Sequence, residues 1–356
     1  MSDQKSGLFG IAKSNRDPND HWGKNQFNSS FPVSLACYMK HAKIPAVFLA
    51  VDESLKVKCH NISIDDVFRT NLPPEELFFS FESKFQPYQR FAYDDIGNID
   101  LVIKHEDKFL TPLEIKLTVL PDNTTVKLPE EQWGSEIVLR PDSTKYCGLG
   151  ILDSLESQLK TVRSIIEPVC HNIKDWGNRY EIAANKEALL TALDKFQSQF
   201  YKYQKPFLMQ PVWKTEGQSP QLAENAFDIF IWSDFALCRL FLDRPRKAEP
   251  GDSIDRLMRS AARFARFLYE GSTKEKVGIT TIYTEMTHGL QTDKEFALSG
   301  RVTSKYMGCS RLLKPKLPRS VLREIICDGG QKKLRPERRF DQTLFFTAEQ
   351  LFEELI

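Results

Sequence analysis

The spacing of apolar and polar positions divides the chain into a strand-rich first half and a helix-rich centre. Residues 1–30 are polar and predict an arm with little regular structure. The run from Ser34 predicts a helix, PAVFLAVD and LKVKCHNISI predict two strands, and IDDVFRT predicts a short helix.

Three short runs of branched apolar residues follow in close succession: GNIDLVI, LEIKLTV and SEIVLR. Turn-forming stretches such as HEDKFLTP separate them. Runs of this length and spacing are typical of strands, so the segment predicts a β-meander.

The centre of the chain has helical spacing. Apolar positions recur every three or four residues over 152–168, from Asn185 to Tyr203, and from Ser253 to Glu270. The run AENAFDIFIWSDFALCRLFLD is apolar nearly all round, but charged residues interrupt it, so it predicts a buried helix rather than a membrane span.

The C-terminal part mixes both patterns. KVGITTIYTEM and EFALSGRVTSKYM resemble strands, SVLREII resembles a basic helix, and RRFDQTLFFT precedes a final helix. The order of elements predicts an α/β fold in which a mixed central sheet is flanked by helices, with a large helical insertion. We expect one compact unit with a polar arm (1–30), a sheet core (31–175), a helical region (176–275) and an α+β region (276–356).

Composition adds a compartment and a charge asymmetry. Seven cysteines without a CxxC pair argue against a disulfide framework, and the N-terminus lacks a signal-peptide core, so we expect a cytoplasmic protein. The net charge is +1, yet ten Lys/Arg stand against three Asp/Glu from Arg311 to Arg339, which leaves −6 elsewhere. A basic region of this kind suits nucleic acid, although it is equally typical of a solvated surface.

The tripeptide Glu-x-Lys occurs three times, and strand context selects one of them. Glu82-Ser-Lys84 lies in a polar-aromatic segment and Glu106-Asp-Lys108 in a predicted turn. Glu114 and Lys116 instead alternate with apolar residues, so a strand would place both on one face. Asp100 lies fourteen positions before Glu114, a spacing that lets a hairpin bring the two carboxylates together.

Two adjacent carboxylates repel each other unless a cation lies between them, and oxygen ligands of this kind favour Mg²⁺ over zinc. Such a site, with Lys116 holding or activating a water, would hydrolyse a phosphodiester. The alternative is a cross-strand salt bridge on a solvated sheet face. Asp100 favours the metal site because it is embedded among Ile99, Leu101 and Val102, where a carboxylate needs a partner.

Other cofactor chemistry has little support in the sequence. The six histidines show no zinc-binding spacing, and the chain has no phosphate-binding glycine loop.

Asp100 with Glu114-x-Lys116 on a hairpin resembles the PD-(D/E)XK nuclease superfamily over about residues 75–170, although Ile99 stands where many members have Pro. The segments LPEEQWGSEIVLRPDS, EFALSGRVTSKYM and RPERRFDQTLFFT are similar to type II restriction endonucleases of the HindVP kind. The resemblance implies Mg²⁺-dependent cleavage of duplex DNA at a short palindrome of the GRCGYC type. It also implies replacement of Mg²⁺ by Mn²⁺, a homodimer, and a bacterial cytoplasmic restriction-modification system with a cognate DNA methyltransferase.

By position, the resemblance implies that Asp100, Glu114 and the Ile115 carbonyl are metal ligands. It also implies that Lys116 holds or helps to activate the attacking water. Glu82 is a further candidate acid, with a surface residue as the alternative.

Base reading and phosphate contact need Arg, Lys and polar side chains near the cut. The preferred segment for recognition is 301–319, and its candidate residues are Arg301, Ser304, Lys305, Tyr306, Arg311 and Lys314. A second basic patch covers 331–339. The stripe Arg256, Arg259, Arg263 and Arg266 would either follow phosphates or form a solvated helix face.

Two other functions stay open on the sequence. A structure-specific or repair nuclease would share the fold and cut without a fixed sequence. A non-catalytic DNA-binding protein would use the hairpin only structurally.

Overall fold

The computed structural model describes the chain in blocks that include most of the expected sheet and helical regions. These blocks are residues 43, 45–69, 71–72, 76–115, 137–139, 141–210, 213–216, 219–222, 225–226, 230–243, 254–290, 296–298, 317–318, 339–340 and 343–344.

Most strands of the described residues belong to one mixed sheet. Seven strands of four to eight residues form it, and two two-residue strands extend one edge, in the order β14-β15-β3-β4-β5-β7-β11-β1-β2. Only the pairs β5–β7 and β1–β11 are parallel within this sheet. The described strands are β1 Ala46–Val51, β2 Val57–Ile62, β3 Leu77–Ser83, β4 Ile99–His105, β5 Lys108–Ile115, β6 Ile137–Leu139, β7 Pro206–Gln210, β8 Trp213–Glu216, β9 Ser219–Leu222, β10 Asn225–Ala226, β11 Phe230–Ser233, β12 Phe296–Leu298, β13 Leu317–Pro318, β14 Arg339–Phe340 and β15 Thr343–Leu344.

The described helices fall mainly between β6 and β12. They are α1 Ile64–Phe68, α2 Gln86–Gln89, α3 Pro141–Ser154, α4 Leu159–Cys170, α5 Arg179–Ala184, α6 Lys186–Phe200, α7 Asp234–Asp243, α8 Arg256–Thr273 and α9 Ile279–Glu285.

The larger helices pack on one face of the sheet and share a single apolar core with it. Sheet residues Val102, Leu208 and Trp232 belong to this core. Its aromatic centre is Phe196, whose ring stacks on Phe235 at a centroid distance of 5.6 Å. Helix α1 covers the other face, because the rings of Phe68 and Phe79 meet at 5.3 Å. Burial on both faces explains why the central strands are apolar along most of their length.

The α/β class, with a mixed sheet between helices, is therefore confirmed. The strands predicted at PAVFLAVD, LKVKCHNISI and GNIDLVI are confirmed, as is the short helix α1. The hairpin turn is tighter than predicted, because β5 already begins at Lys108 and Glu106 takes the left-handed conformation with φ 50°.

The prediction of one helix over 223–243 was wrong. Its first part contains β10 and β11, and the helix begins only at Asp234. A run that is apolar all round has no helical periodicity to identify it, and here β11 is buried between β7 and β1. Two sheet strands, β7 and β11, thus come from the region where helices were expected.

The strand predicted at KVGITTIYTEM was also wrong, because residues 279–285 form α9. Its β-branched residues favour a strand locally. Packing decides otherwise: Ile279 and Ile282 are three residues apart and both buried, which is helical spacing.

The third strand of the predicted meander joins a different partner. β6 pairs with β12 in a separate two-stranded sheet, whereas the neighbour of β4 opposite β5 is β3. The helix predicted over 152–168 is two helices, α3 and α4, separated by a short 3₁₀ turn. The helices predicted from Ser34, at SVLREII and at the C-terminus lie outside the described residues.

Among the described residues, no helix has both the length and the apolar composition needed to cross a bilayer.

A buried carboxyl joins the sheet to the helical layer. Asp234 is 2% exposed, and its Oδ1 accepts hydrogen bonds from the amides of Lys205 (3.0 Å) and Phe235 (2.8 Å). Burial raises the pKa of Asp234 to about 7, although both amides and the charge of Lys205 oppose the shift.

We predict that Asp234→Asn removes a pH-dependent loss of stability. The folded protein binds this proton more tightly than the unfolded chain, so its contribution is complete below about pH 4 and is lost as pH rises to about 7. The amide keeps an Oδ1 acceptor without titrating. Urea unfolding should therefore show the variant gaining on the parent between pH 4 and 7, by at most about 4 kcal/mol. A constant difference across this range would contradict the prediction.

Candidate active site

The hairpin β4–β5 brings the two predicted carboxylates together. Leu101 pairs with Leu113 and Val102 with Pro112 in its antiparallel register. Continuing this register by one residue places Asp100 opposite Glu114, so both lie on the same face. The fourteen-residue spacing of Asp100 and Glu114 was compatible with cross-strand pairing, and the register agrees with it.

A hydrogen bond fixes Asp100 within this arrangement. The amide of Ile115 donates a hydrogen bond to Oδ2 of Asp100 at 2.7 Å. This amide therefore points from β5 toward β4. Amides alternate in direction along a strand, which places position 114 at a non-hydrogen-bonded pair of the ladder. Side chains approach most closely at such pairs, at about 4.5 Å between Cα atoms. Pro112 lies two residues before Glu114 and so is also at a non-hydrogen-bonded pair. Its missing amide hydrogen therefore removes no hydrogen bond between β4 and β5.

Glu114 has an apolar environment. It is 5% exposed, and its neighbour in the parallel pair β5–β7 is Leu208, which in turn lies next to Trp232 of β11. Asp100 is partly buried. Carboxylate oxygens placed on such a face are of the kind that a hard cation such as Mg²⁺ would accept as ligands.

The donor set fits magnesium. Among the described residues no three His, Cys, Asp or Glu side chains come together as a metal-binding group. Mg²⁺ needs few protein ligands, since it keeps several waters and binds substrate phosphates. The Ile115 carbonyl remains a predicted third ligand.

Two predicted site residues are described incompletely or not at all. Lys116 lies outside the described residues. The backbone of Glu82 lies in β3, the strand next to β4. Because Phe81 pairs with Leu101 and Ser83 with Ile99, the register places position 82 opposite Asp100. Its side chain is outside what the structure describes.

The described side chains of the two rejected Glu-x-Lys triplets lie at the surface. Lys84 forms a 2.5 Å ion pair with Asp95, and its hydrogen bond lowers the pKa of that carboxyl. Glu106 and Lys108 flank the hairpin turn and are exposed. Glu114, which strand context selected, is buried, whereas Lys84, Glu106 and Lys108 are exposed.

The arginine stripe does not face solvent, and this corrects both interpretations made from the sequence. Arg259 and Arg263 are 0% and 1% exposed, and Arg266 is also buried. Arg259 donates to the carbonyl of Thr287 and Arg263 to that of Met286 at 2.8 Å.

These arginines connect α8 to α9 and to the turn after it. The guanidinium of Arg263 lies 4.4 Å from the ring centroid of Tyr283, and Arg266 forms ion pairs with Glu270 and Glu285. Groups committed to interior contacts of this kind cannot follow DNA phosphates without unfolding α8 from α9. Arg256 is only partly buried.

The recognition residues predicted in the preferred basic segment lie outside the described residues: Arg301, Ser304, Lys305, Tyr306, Arg311 and Lys314.

Tyr146 was missed by the sequence reasoning. Its hydroxyl on α3 hydrogen-bonds to the carbonyls of Ile96 and Asn98, immediately before β4. Gly97-Asn98 did signal a turn ahead of Asp100, but nothing in the sequence connects that turn to a tyrosine far downstream.

Comparison with known proteins identifies the family of the chain. A family model described as HindVP restriction endonuclease matches residues 22–352. The chain is 38% identical to "Type II restriction enzyme HgiDI" of Herpetosiphon aurantiacus over 358 residues, with 98% of each chain covered. It is 37% identical to "Probable type II restriction enzyme HindVP" of Haemophilus influenzae, covering 97% of this chain and 95% of the other. No solved structure shows significant similarity to the chain.

We predict that Asp100→Asn stabilises the metal-free protein by about 1 kcal/mol, because it removes one of two opposed carboxylates. Asparagine retains an oxygen that can accept from the Ile115 amide. Urea unfolding in EDTA measures the effect. Asp107→Asn, the same change at the exposed hairpin turn, is the control and should be neutral within about 0.5 kcal/mol. A destabilised Asp100→Asn would show that repulsion does not dominate at this pair.

We predict that Arg263→Met costs about 2–5 kcal/mol of stability, because carbonyls buried against the guanidinium lose their donor. Arg256→Met, on the partly buried part of the same helix, should cost less than about 1 kcal/mol. The salt dependence of DNA binding should be the same in Arg263→Met and in the parent, because no phosphate contact is lost. A shallower salt slope in a stable Arg263→Met protein would restore the phosphate role.

Proposed function

Given that the chain belongs to the HindVP restriction endonuclease family, we propose that it cleaves duplex DNA at a short palindrome with a Mg²⁺-dependent site built on β4 and β5. The observation that carries the proposal is the opposed pair Asp100–Glu114, with Asp100 oriented by the Ile115 amide. A metal site needs what the hairpin offers, two carboxylates held close on an apolar face.

In this proposal Asp100, Glu114 and the Ile115 carbonyl hold the metal. Magnesium bound there would supply Lewis acidity to a water and would neutralise negative charge that builds on the phosphoryl oxygens. Mn²⁺ should substitute, because it accepts the same oxygen ligands.

The chain's own groups would fix the geometry of the reaction. The Ile115 amide holds one Asp100 oxygen, so that carboxylate does not rotate when substrate enters. Lys116, two residues after Glu114 in the sequence, would hold the attacking water or take part in its deprotonation. Position 82, opposite Asp100 in the register, makes Glu82 a further candidate for orienting water or metal.

Sequence recognition would come from the basic segment around 301–319, with the GRCGYC type of site as the specific proposal. A palindrome has twofold symmetry, so a homodimer would present two equivalent sites to the two strands. In the cell a cognate methyltransferase would protect the host's own copies of the site.

We predict that Lys116→Ala lowers the rate of plasmid cleavage by about 10²–10⁴-fold, because the water loses its positioned partner. Lys108→Ala is a matched control, since it removes an exposed lysine at the first residue of β5. Its rate should equal that of the parent. Asp100→Ala and Glu114→Ala should also abolish cleavage, and EDTA should stop the parent enzyme.

The same digest separates the competing functions. Discrete fragments from unmodified phage DNA, with sequenced ends inside GRCGYC, support a restriction enzyme of that specificity. Cleavage of branched or damaged DNA without discrete fragments identifies a structure-specific nuclease. Salt-sensitive DNA binding with no metal-dependent product identifies a non-catalytic binding protein, and parental cleavage by Lys116→Ala would remove that residue from the site.

A further inference from the structure

A turn of three residues connects the helical layer to the strand that carries Asp100. It consists of Ile96, Gly97 and Asn98, and β4 begins at the next residue. The hydroxyl of Tyr146 donates toward two carbonyls of this turn, those of Ile96 at 3.0 Å and Asn98 at 2.5 Å. Tyr146 is 2% exposed, so water does not compete for these carbonyls as it would at the surface.

Gly97 lets the turn approach the helix. Its φ of +76° lies in the left-handed region, which glycine adopts without strain. A Cβ at this position would lie 3.4 Å from the Tyr146 hydroxyl and 3.7 Å from Nζ of Lys145. The backbone therefore touches α3 at the residues that follow its first turn.

Helix α3 is itself held on several sides, which makes Tyr146 a fixed anchor. A Cβ on Gly148 would lie 3.1 Å from the ring of Phe267 in α8, and one on Gly150 would lie 2.6 Å from the Tyr88 hydroxyl. Cys147 lies 3.4 Å, sulfur to sulfur, from Cys238 in α7. Contacts this close leave α3 little room to shift along or across the sheet.

The turn ends two residues before Asp100, whose Oδ2 meets the Ile115 amide at 2.7 Å. A small displacement of the first residues of β4 would lengthen this bond and change the separation from Glu114. Catalytic ligands tolerate displacements of only about 0.5 Å. We propose that Tyr146 is a positioning residue for the metal site, which sets the Asp100 carboxylate through the carbonyls of Ile96 and Asn98. This inference rests on the proposed nuclease function.

Tyr146→Phe removes the hydroxyl and keeps the ring, so it tests the proposal with little change in packing. Tyr283→Phe is the matched control, because that hydroxyl also donates to a backbone carbonyl of α3, the one of Pro141 at 2.7 Å, but not to the turn. Tyr146→Phe removes a hydroxyl that reaches two carbonyls of the turn, and Tyr283→Phe removes one partly buried hydrogen bond from a tyrosine hydroxyl to a backbone carbonyl.

The first readout needs no metal and no turnover. Hydrogen exchange resolved to single amides in the metal-free protein should show the Ile115 amide exchanging roughly tenfold faster in Tyr146→Phe, because its bond to Asp100 opens more often. Tyr283→Phe should leave this amide at the parental rate. Equal exchange at Ile115 in the two variants overturns the proposal.

The second readout is cleavage of a duplex carrying the recognition site. Tyr146→Phe should lower kcat by about 10–100-fold and require more Mg²⁺ for half-maximal rate, because a displaced carboxylate binds and aligns the metal less well. The KM for DNA should stay within about twofold of the parent, because the turn does not read bases. Tyr283→Phe should match the parent in all three values.

The outcomes separate the two proposals. If Asp100→Ala still cleaves, the proposed site is wrong, and the exchange of Ile115 still shows whether Tyr146 orients the hairpin. If Asp100→Ala is inactive and Tyr146→Phe behaves like Tyr283→Phe, the positioning role is wrong and the site stands. Should Tyr146→Phe not fold, Gly97→Ala perturbs the same contact from the other side and should give the same loss of Ile115 protection.

Discussion

Two negative charges that face each other on neighbouring strands raise the free energy of the folded chain, and an apolar surrounding raises it further. Asp100 and Glu114 lie opposite each other in the register of the hairpin β4–β5. The rest of the sheet and the helical layer hold this hairpin in place. The Ile115 amide contributes directly by solvating one of the carboxylates within the protein.

The helical layer extends this restraint well beyond the hairpin. Glycines at 148 and 150 bring α3 against Phe267 and Tyr88, and the Tyr146 hydroxyl then meets the turn before Asp100. The buried arginines of α8 serve the same layer by attaching α9 and its following turn. Charged residues in the described part of the chain thus include a carboxylate pair that we propose for chemistry and buried arginines that hold helices of one layer together.

The sequence was most informative where local pattern and tertiary environment agree. Alternation around Glu114 and the apolar setting of Asp100 identified the hairpin, because pairing within a hairpin depends on nearby residues. The sequence pattern did not predict the burial of Arg259 and Arg263. The carbonyls that accept their hydrogen bonds belong to Thr287 and Met286, which follow α9, the next helix along the chain. The pattern failed over 223–243 as well, because an apolar run is compatible with a buried strand and a buried helix alike.

The parallel pairing of β5 with β7 has a consequence for the order of assembly. β4 and β5 are adjacent in sequence and can pair early, whereas β7 reaches Glu114 only after the chain has passed through α3, α4, α5 and α6. A nascent chain that ends before Leu208 therefore carries the carboxylates on an open strand edge, where water separates their charges. Pairing of Glu114 with β7, in the structure where Glu114 is buried, therefore becomes possible only after the helical layer has been synthesised.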